Sequence, residues 1–286
     1  GILFMAASEQ LKQLVDQMPA ADRRGMYTEN IDKEKIEKNA AAIAAGGKEH
    51  MLGLIKMLGE PGSAESVKPH YALHCALNHA LVAKDEKLRK ELCEAMASQL
   101  ANEELLAHTR AYLCQELQWA GREEACAALG SVLLDEQISD DAATALAAIG
   151  GERAAAQLRA AITKAKGKAR LNLMDALAAL PEAKSADTFR AGLADSDREV
   201  RIAAALGLAQ LGLPDAIEPI FKTADAAKGW ERTQLTKACL VLAEQLAASG
   251  KKTDAARVYQ RLEKTRTGDA EQHVRDAAKL GLAAIG

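Results

Sequence analysis

The sequence predicts an all-α fold: an α-solenoid, a right-handed superhelix of about seven antiparallel helix pairs behind an N-terminal capping region. Three observations predict it. The 286 residues include 61 Ala against 20 Val plus Ile, nine aromatics and six Pro, a composition that suits helices and disfavours sheets. Similar segments recur about every thirty residues, and each carries one apolar stripe at helical spacing.

In chain order, Leu11, Leu14, Val15 and Met18 mark a short amphipathic helix ended by Pro19. Residues 32–45 form a second helix, opened by the acidic cap Asp32 and closed by Gly46 and Gly47. These two make the cap, residues 1–47. Residues 48–58 form a helix, GEPGSAES at 59–66 is a long turn, and the next helix opens near Pro69. Five segments then end on a small residue or a turn: 109–121, 138–150, 169–181, 199–212 and 273–286. The first intervals between their ends are 29, 31 and 31 residues. The remaining stretch holds two longer units, with an extended helix at 231–249 stopped by Gly250.

Each terminal segment follows another helix-period segment, at 85–101, 122–134, 152–162, 184–193, 214–224 and 252–264. Val200, Ala204, Leu208 and Leu211 draw one buried stripe, and Val274, Ala278, Leu282 and Ile285 repeat it. Gly212 followed by Pro214 stops one helix and starts the next. A single pair cannot bury its own stripe, so neighbours on either side are obligatory, and abundant Ala lets the layers approach closely. Residues 48–286 are therefore expected to form one continuous repeat domain.

The unit DSDREVRIAAALGLAQLG at residues 195–212 resembles the HEAT-repeat family, in particular the short HEAT-like repeats related to phycobilisome lyases. The resemblance implies a ladder between successive repeats, built from an acidic residue in the turn within a pair and a basic residue six positions later. Asp195 with Arg201, Asp269 with Arg275 and Glu104 with Arg110 fit that spacing; Ser139 and Arg170 occupy the basic position without the acidic partner. The stretch at 231–264, with GKKTDAARVYQ, departs from the pattern and is similar to a tetratricopeptide-type helix pair.

The formal charge of −3, from 37 Lys and Arg against 40 Asp and Glu, argues against nucleic acid. The basic turn at residues 164–170, with Lys164, Lys166, Lys168 and Arg170, keeps a nucleic-acid or phosphate-binding module as one alternative. A lyase-like or metal-dependent enzyme is another. His70 and His74 share one helix face, as a metal site needs, but Cys75 and His79 point about 100° away, so the four cannot close on one ion. A third ligand would come from His50 or His108. Deoxyhypusine hydroxylase, built from such repeats, holds its di-iron centre with His-Glu dipeptides, and this chain contains none. No P-loop, GxSxG, GxGxxG or zinc-finger spacing is present, and neither a metal nor a cofactor is expected.

Cys75, Cys93, Cys114, Cys126 and Cys239 are an odd set with no CxxC pair, which favours free thiols and a reducing cytoplasm. The apolar run at residues 2–7 leaves export open as the remnant of a signal peptide, and no run approaches the ~20 residues that span a bilayer. Without a catalytic constellation, the expected function is a non-catalytic scaffold that binds a protein or peptide on the concave face of the second helices. If Val200, Ala204, Leu208 and Leu211 are buried, positions equivalent to Ile202, Ala205, Leu206 and Ala209 turn outward. That register assigns Cys114, Gln115 and Gln118, then Met174 and Asp175, then Asp276, Lys279 and Leu280 to the partner-binding face, with Trp119 as its edge anchor.

Overall fold

The computed structural model describes residues 2–20 and 31–286, with side chains from residue 9 onward. Among the described residues there are sixteen α-helices and no strand. Helices α1 (Ile2–Asp16) and α2 (Lys33–Ala45) open the chain. Seven pairs follow: α3 (Gly47–Met57) with α4 (Ala64–Val82), α5 (Glu86–Ala97) with α6 (Ala107–Ala120), α7 (Glu123–Ser131) with α8 (Ser139–Ile149), α9 (Gly151–Ile162) with α10 (Gly167–Ala178), α11 (Ala186–Gly192) with α12 (Arg198–Gln210), α13 (Ile217–Ala226) with α14 (Gly229–Ala248), and α15 (Lys252–Thr265) with α16 (Gln272–Ile285). The apolar run at residues 2–7 falls in α1, and its side chains lie outside the described residues.

The chain divides into two compact units, Gly1–Ile149 and Gly150–Gly286, between α8 and α9. Each is layered. In the N-terminal unit, α2, α4, α6 and α8 succeed one another in one layer while α3, α5 and α7 form the other. In the C-terminal unit, α10, α12, α14 and α16 pack in succession, and α9, α11, α13 and α15 each cover their own partner. The layers close over rows of fully buried Leu, such as Leu73, Leu77, Leu113, Leu117 and Leu146 in one unit and Leu158, Leu173, Leu208 and Leu242 in the other. Small residues line the approach: Ala72, Ala76 and Ala80 of α4 and Ala204, Ala205 and Ala209 of α12 are all without exposure.

Local chemistry sets the helix ends. Asp32 caps α2 by accepting from the Lys35 amide at 3.1 Å, and Asp85 caps α5 by accepting from the Leu88 amide at 3.0 Å. Gly212 ends α12 at φ +59°, a conformation that side chains resist, and its carbonyl accepts from Lys251 Nζ at 2.9 Å. Pro214 then opens a short 3-10 turn leading into α13. The start of α4 departs from expectation, because the helix begins at Ala64 and carries Pro69 inside it. The hydrogen bond that Pro69 cannot make belongs to the carbonyl of Glu65, in an exposed first turn where water can serve it.

Gly207, within α12, answers a packing need. A Cβ there would overlap the Phe189 ring, which is fully buried between α11 and α12. Bare backbone at this position admits the ring at a helix-propensity cost of about 1 kcal/mol.

Candidate binding face

The arginines at the starts of the second helices connect each pair to its surroundings by two kinds of contact. Arg201 Nη1 donates to the Asp195 carbonyl at 2.7 Å and to the Ser196 carbonyl at 3.1 Å, capping the turn within its own pair. Its Nε donates forward to Glu231 at 2.6 Å. The Asp195 carboxylate instead faces Arg170 of the preceding pair at 3.0 Å. Arg110, only 4% exposed, reaches Asp135 at 2.7 Å and Gln137 at 3.1 Å rather than Glu104. Arg275 donates to the carbonyls of Arg266 and Gly268, not to the Asp269 carboxylate.

The acid–base spacing of six residues is thus not a charge pair in any of the three cases. The guanidinium meets carbonyls of the turn that follows the first helix, and the Asp195 carboxylate points at the preceding pair instead. The charged rungs join neighbouring pairs: Arg110 to Asp135, Arg170 to Asp195, Arg201 to Glu231, and Arg232 to Glu271 at 2.7 Å. Arg170, lacking an acid six residues earlier, is therefore a rung. Hydrogen bonds from Arg201 and Arg232 hold the Glu231 and Glu271 carboxyls below the usual range.

A second motif without a sequence signature joins successive first helices. Arg89 of α5, 2% exposed, donates to Glu124 of α7 at 2.6 Å and to the terminal carbonyl of α6, Ala120, at 2.8 Å.

The outer surface of the second helices in the N-terminal unit gathers aromatic, imidazole and carboxylate groups. His74 of α4 stacks on Trp119 of α6, with ring centroids 4.8 Å apart and planes at 21°. Its Nδ1 lies 3.2 and 3.1 Å from the two carboxylate oxygens of Glu116, to which it donates. That bond outweighs partial burial and raises the imidazole pKa above its ordinary value. One turn earlier, His70 meets Tyr112 edge-on at 4.7 Å, and the Tyr112 hydroxyl donates to the His70 carbonyl at 3.1 Å. Gln115 Nε2 donates to Asp141 of α8 at 3.3 Å.

The structure leaves Gln115, Gln118 and Trp119 exposed on α6, Asp175 on α10, and Asp276, Lys279 and Leu280 on α16. Only the α6 residues share a constellation with described neighbours on α4 and α8. Two assignments are corrected: Met174 is 1% exposed and Cys114 is fully buried. Met174 lies against Gly192 of α11, where its terminal methyl fills space that a Cβ would claim. The register itself fails for the same reason. Ile202, Ala205 and Ala209 are buried because α12 has helices on both sides as well as its own partner, so more than one stripe is covered.

The histidines do not converge. His74 is held by Glu116, His79 by Glu37 at 2.6 Å, His70 by Ser66 at 2.7 Å, His50 by the Ile43 carbonyl at 2.9 Å and His108 by the Gly59 carbonyl at 3.1 Å. Among the described residues no three His, Cys, Asp or Glu side chains come together as metal ligands. No disulfide joins the five cysteines, and burial pushes the Cys93, Cys114 and Cys239 thiols up to about 12, far from the thiolate a nucleophile requires. Lys164 and Lys166 stand exposed in the turn between α9 and α10 and Lys168 in the first turn of α10, while Arg170 is committed to Asp195. No described helix is long and apolar enough to cross a membrane.

The family model described as HEAT repeats matches residues 160–240. No curated protein matches the chain. Among solved structures, an engineered protein is 17% identical over 96% of this chain and 78% of its own, with a TM-score of 0.45. A designed armadillo repeat protein in complex with the peptide (KR)4 is 20% identical over 96% of this chain and 99% of its own, with a TM-score of 0.30. The matched stretch runs from α9 to α14, through the unit at 195–212 and the rungs at Arg170 and Arg201. Over residues 160–240 the chain is therefore similar to HEAT repeats, and the paired helices in two layers with small residues at the close approaches extend the same kind of architecture to either side.

Proposed function

We propose that this protein is a non-catalytic scaffold that takes a protein or peptide partner on the exposed face of its second helices, with α6 at the centre of the contact. The observation that carries this reading is Trp119, a large aromatic left 47% exposed although His74 already stacks on one side of its ring. Trp at the middle of a contact contributes more than its polar neighbours, and here Gln115 and Gln118 flank it with hydrogen-bonding groups that complement either backbone or side chains. Packing and second-helix neighbours fix the Trp119 ring in advance, which lowers the ordering cost of capture.

Asp175 on α10 and Asp276 and Lys279 on α16 belong to the same proposal as further exposed positions on second helices. A non-catalytic role accords with thiols pushed away from thiolate and with His50, His70, His74, His79 and His108 each held by a structural partner. The test is capture of a partner from lysate by the full chain and by the Trp119→Ala, Gln115→Ala double variant. Far-UV circular dichroism should be unchanged between them, since both side chains are exposed, while the captured partner should be lost. Equal capture by both proteins would remove α6 from the contact.

A further inference from the structure

The face around Trp119 has an unusual charge inventory. From residue 70 to 82, from 112 to 120 and from 139 to 149 there is no Lys or Arg, yet these stretches hold Glu116, Asp140 and Asp141. They form one surface, because His74 and His70 of α4 touch Glu116, Trp119 and Tyr112 of α6, and Gln115 of α6 touches Asp141 of α8. Elsewhere in the unit, even part-buried carboxylates are met by arginine: Glu124 by Arg89 and Asp135 by Arg110. Glu116 is only 7% exposed and pairs with no arginine or lysine among the described residues; its cation is His74, which is charged only when protonated.

A buried carboxylate gains strongly from a cation beside it, and a guanidinium or ammonium over an indole face gains again from the ring. We propose that the occupant of this face is an extended basic segment of a partner protein, with an arginine or lysine side chain set over Trp119 and drawn by the Glu116 and Asp141 carboxylates. This rests on the reading of α6 as the contact and adds the chemistry of the partner to it.

His74 then competes with the partner for Glu116. The charged group acting on His74 is Glu116 from α6; Tyr112 lies beside it on α6, Glu37 of α2 is engaged by His79, and His70 and Cys75 are the neighbours on α4 itself. Below its raised pKa, His74 is an imidazolium that neutralises Glu116 from within. As pH rises through that value the internal cation is lost, and a basic partner gains. A neutral or acidic partner would show no such gain.

The experiment uses the full chain with Trp230→Phe, so that Trp119 is the one remaining tryptophan. Its fluorescence is titrated with three nine-residue peptides, (Arg-Gly-Ser)3, (Gln-Gly-Ser)3 and (Glu-Gly-Ser)3, at pH 5.5 and 8. The arginine peptide should bind, more tightly at pH 8 than at pH 5.5, and the other two should not. Glu116→Gln should weaken it about tenfold, as expected for loss of one charge-assisted contact. Asp141→Asn, at a less buried site, should weaken it in the same direction and keeps the test decisive if Glu116→Gln perturbs folding. Equal binding of the glutamine or glutamate peptide, or undiminished binding by both variants, overturns the proposal. Absence of arginine-peptide binding while Trp119→Ala, Gln115→Ala still abolishes partner capture overturns the basic partner alone and leaves α6 as the contact.

Discussion

Single residues fix the stability of the first unit in ways that charge counting misses. Arg89 is a full charge almost without solvent, and Glu124 and the Ala120 carbonyl are what it was buried against. Breaking such a pair leaves an uncompensated buried charge, so Glu124→Ala is expected to lower unfolding stability by about 3 kcal/mol. Glu86 also contacts Arg89, but its side chain is 63% exposed, and Glu86→Ala should cost under about 1 kcal/mol. Urea unfolding of the two variants separates them; similar midpoints would mean that burial does not govern this pair. Neither partner was legible in the sequence, since Arg89 and Glu124 are 35 residues apart and belong to different helix pairs. The same is true of His74 and Glu116, 42 residues apart. The exposure of Trp119 agrees with the sequence expectation that set it at the edge of the outward face, whereas Met174 and Cys114, assigned by the same register, are buried.

Helices were legible where periodicity and punctuation agreed. The segments at 199–212 and 273–286 became α12 and α16 within two residues at each end, since the apolar stripe and the Gly stop are both local. The face each helix turns outward was not local. One stripe of Val200, Ala204 and Leu208 is buried against the partner, but Ile202, Ala205 and Ala209 are buried by the helices on either side. Met174 was misassigned by that omission. Gly207 carries no local signal of its role, which comes from the Phe189 ring packed against it. Gly207→Ala is expected to destabilise by about 1–3 kcal/mol through overpacking, more than the propensity gained. In a double-mutant cycle, Phe189→Leu should reduce that penalty; an unchanged penalty would locate the strain elsewhere.

At the scale of the repeat array, cohesion between pairs adds charge rungs to apolar layers, and the rungs carry a pH signature. Glu231 and Glu271 are held below the ordinary value of 4.5 by Arg201 and Arg232. Groups with a lowered folded-state pKa stabilise fully above the unfolded value and lose that contribution as pH falls through the folded one. Stability should therefore decline as pH drops below about 4.5, with Glu231→Gln, Glu271→Gln showing a shallower decline from a lower starting level. Thermal unfolding between pH 6 and 3 checks this, and parallel curves for the two proteins would show that the rungs are not the acid-sensitive element. The sequence singled out Arg201 and the turn acid Asp195, both of which are in rungs, but not Arg232, Glu231 or Glu271, because each arginine meets an acid of the next pair and not the one six positions back.

What the sequence by itself determined was the local half of the molecule: helical composition, helix pairs at about thirty-residue spacing, and their stops. These follow from interactions within a few turns of one chain segment. Which side chains are buried, which acid meets which arginine, and how His74, Glu116 and Trp119 come together were decided only by the tertiary structure. They depend on which surfaces of separate pairs come into contact, and residues tens of positions apart acquire a distance only when those layers close.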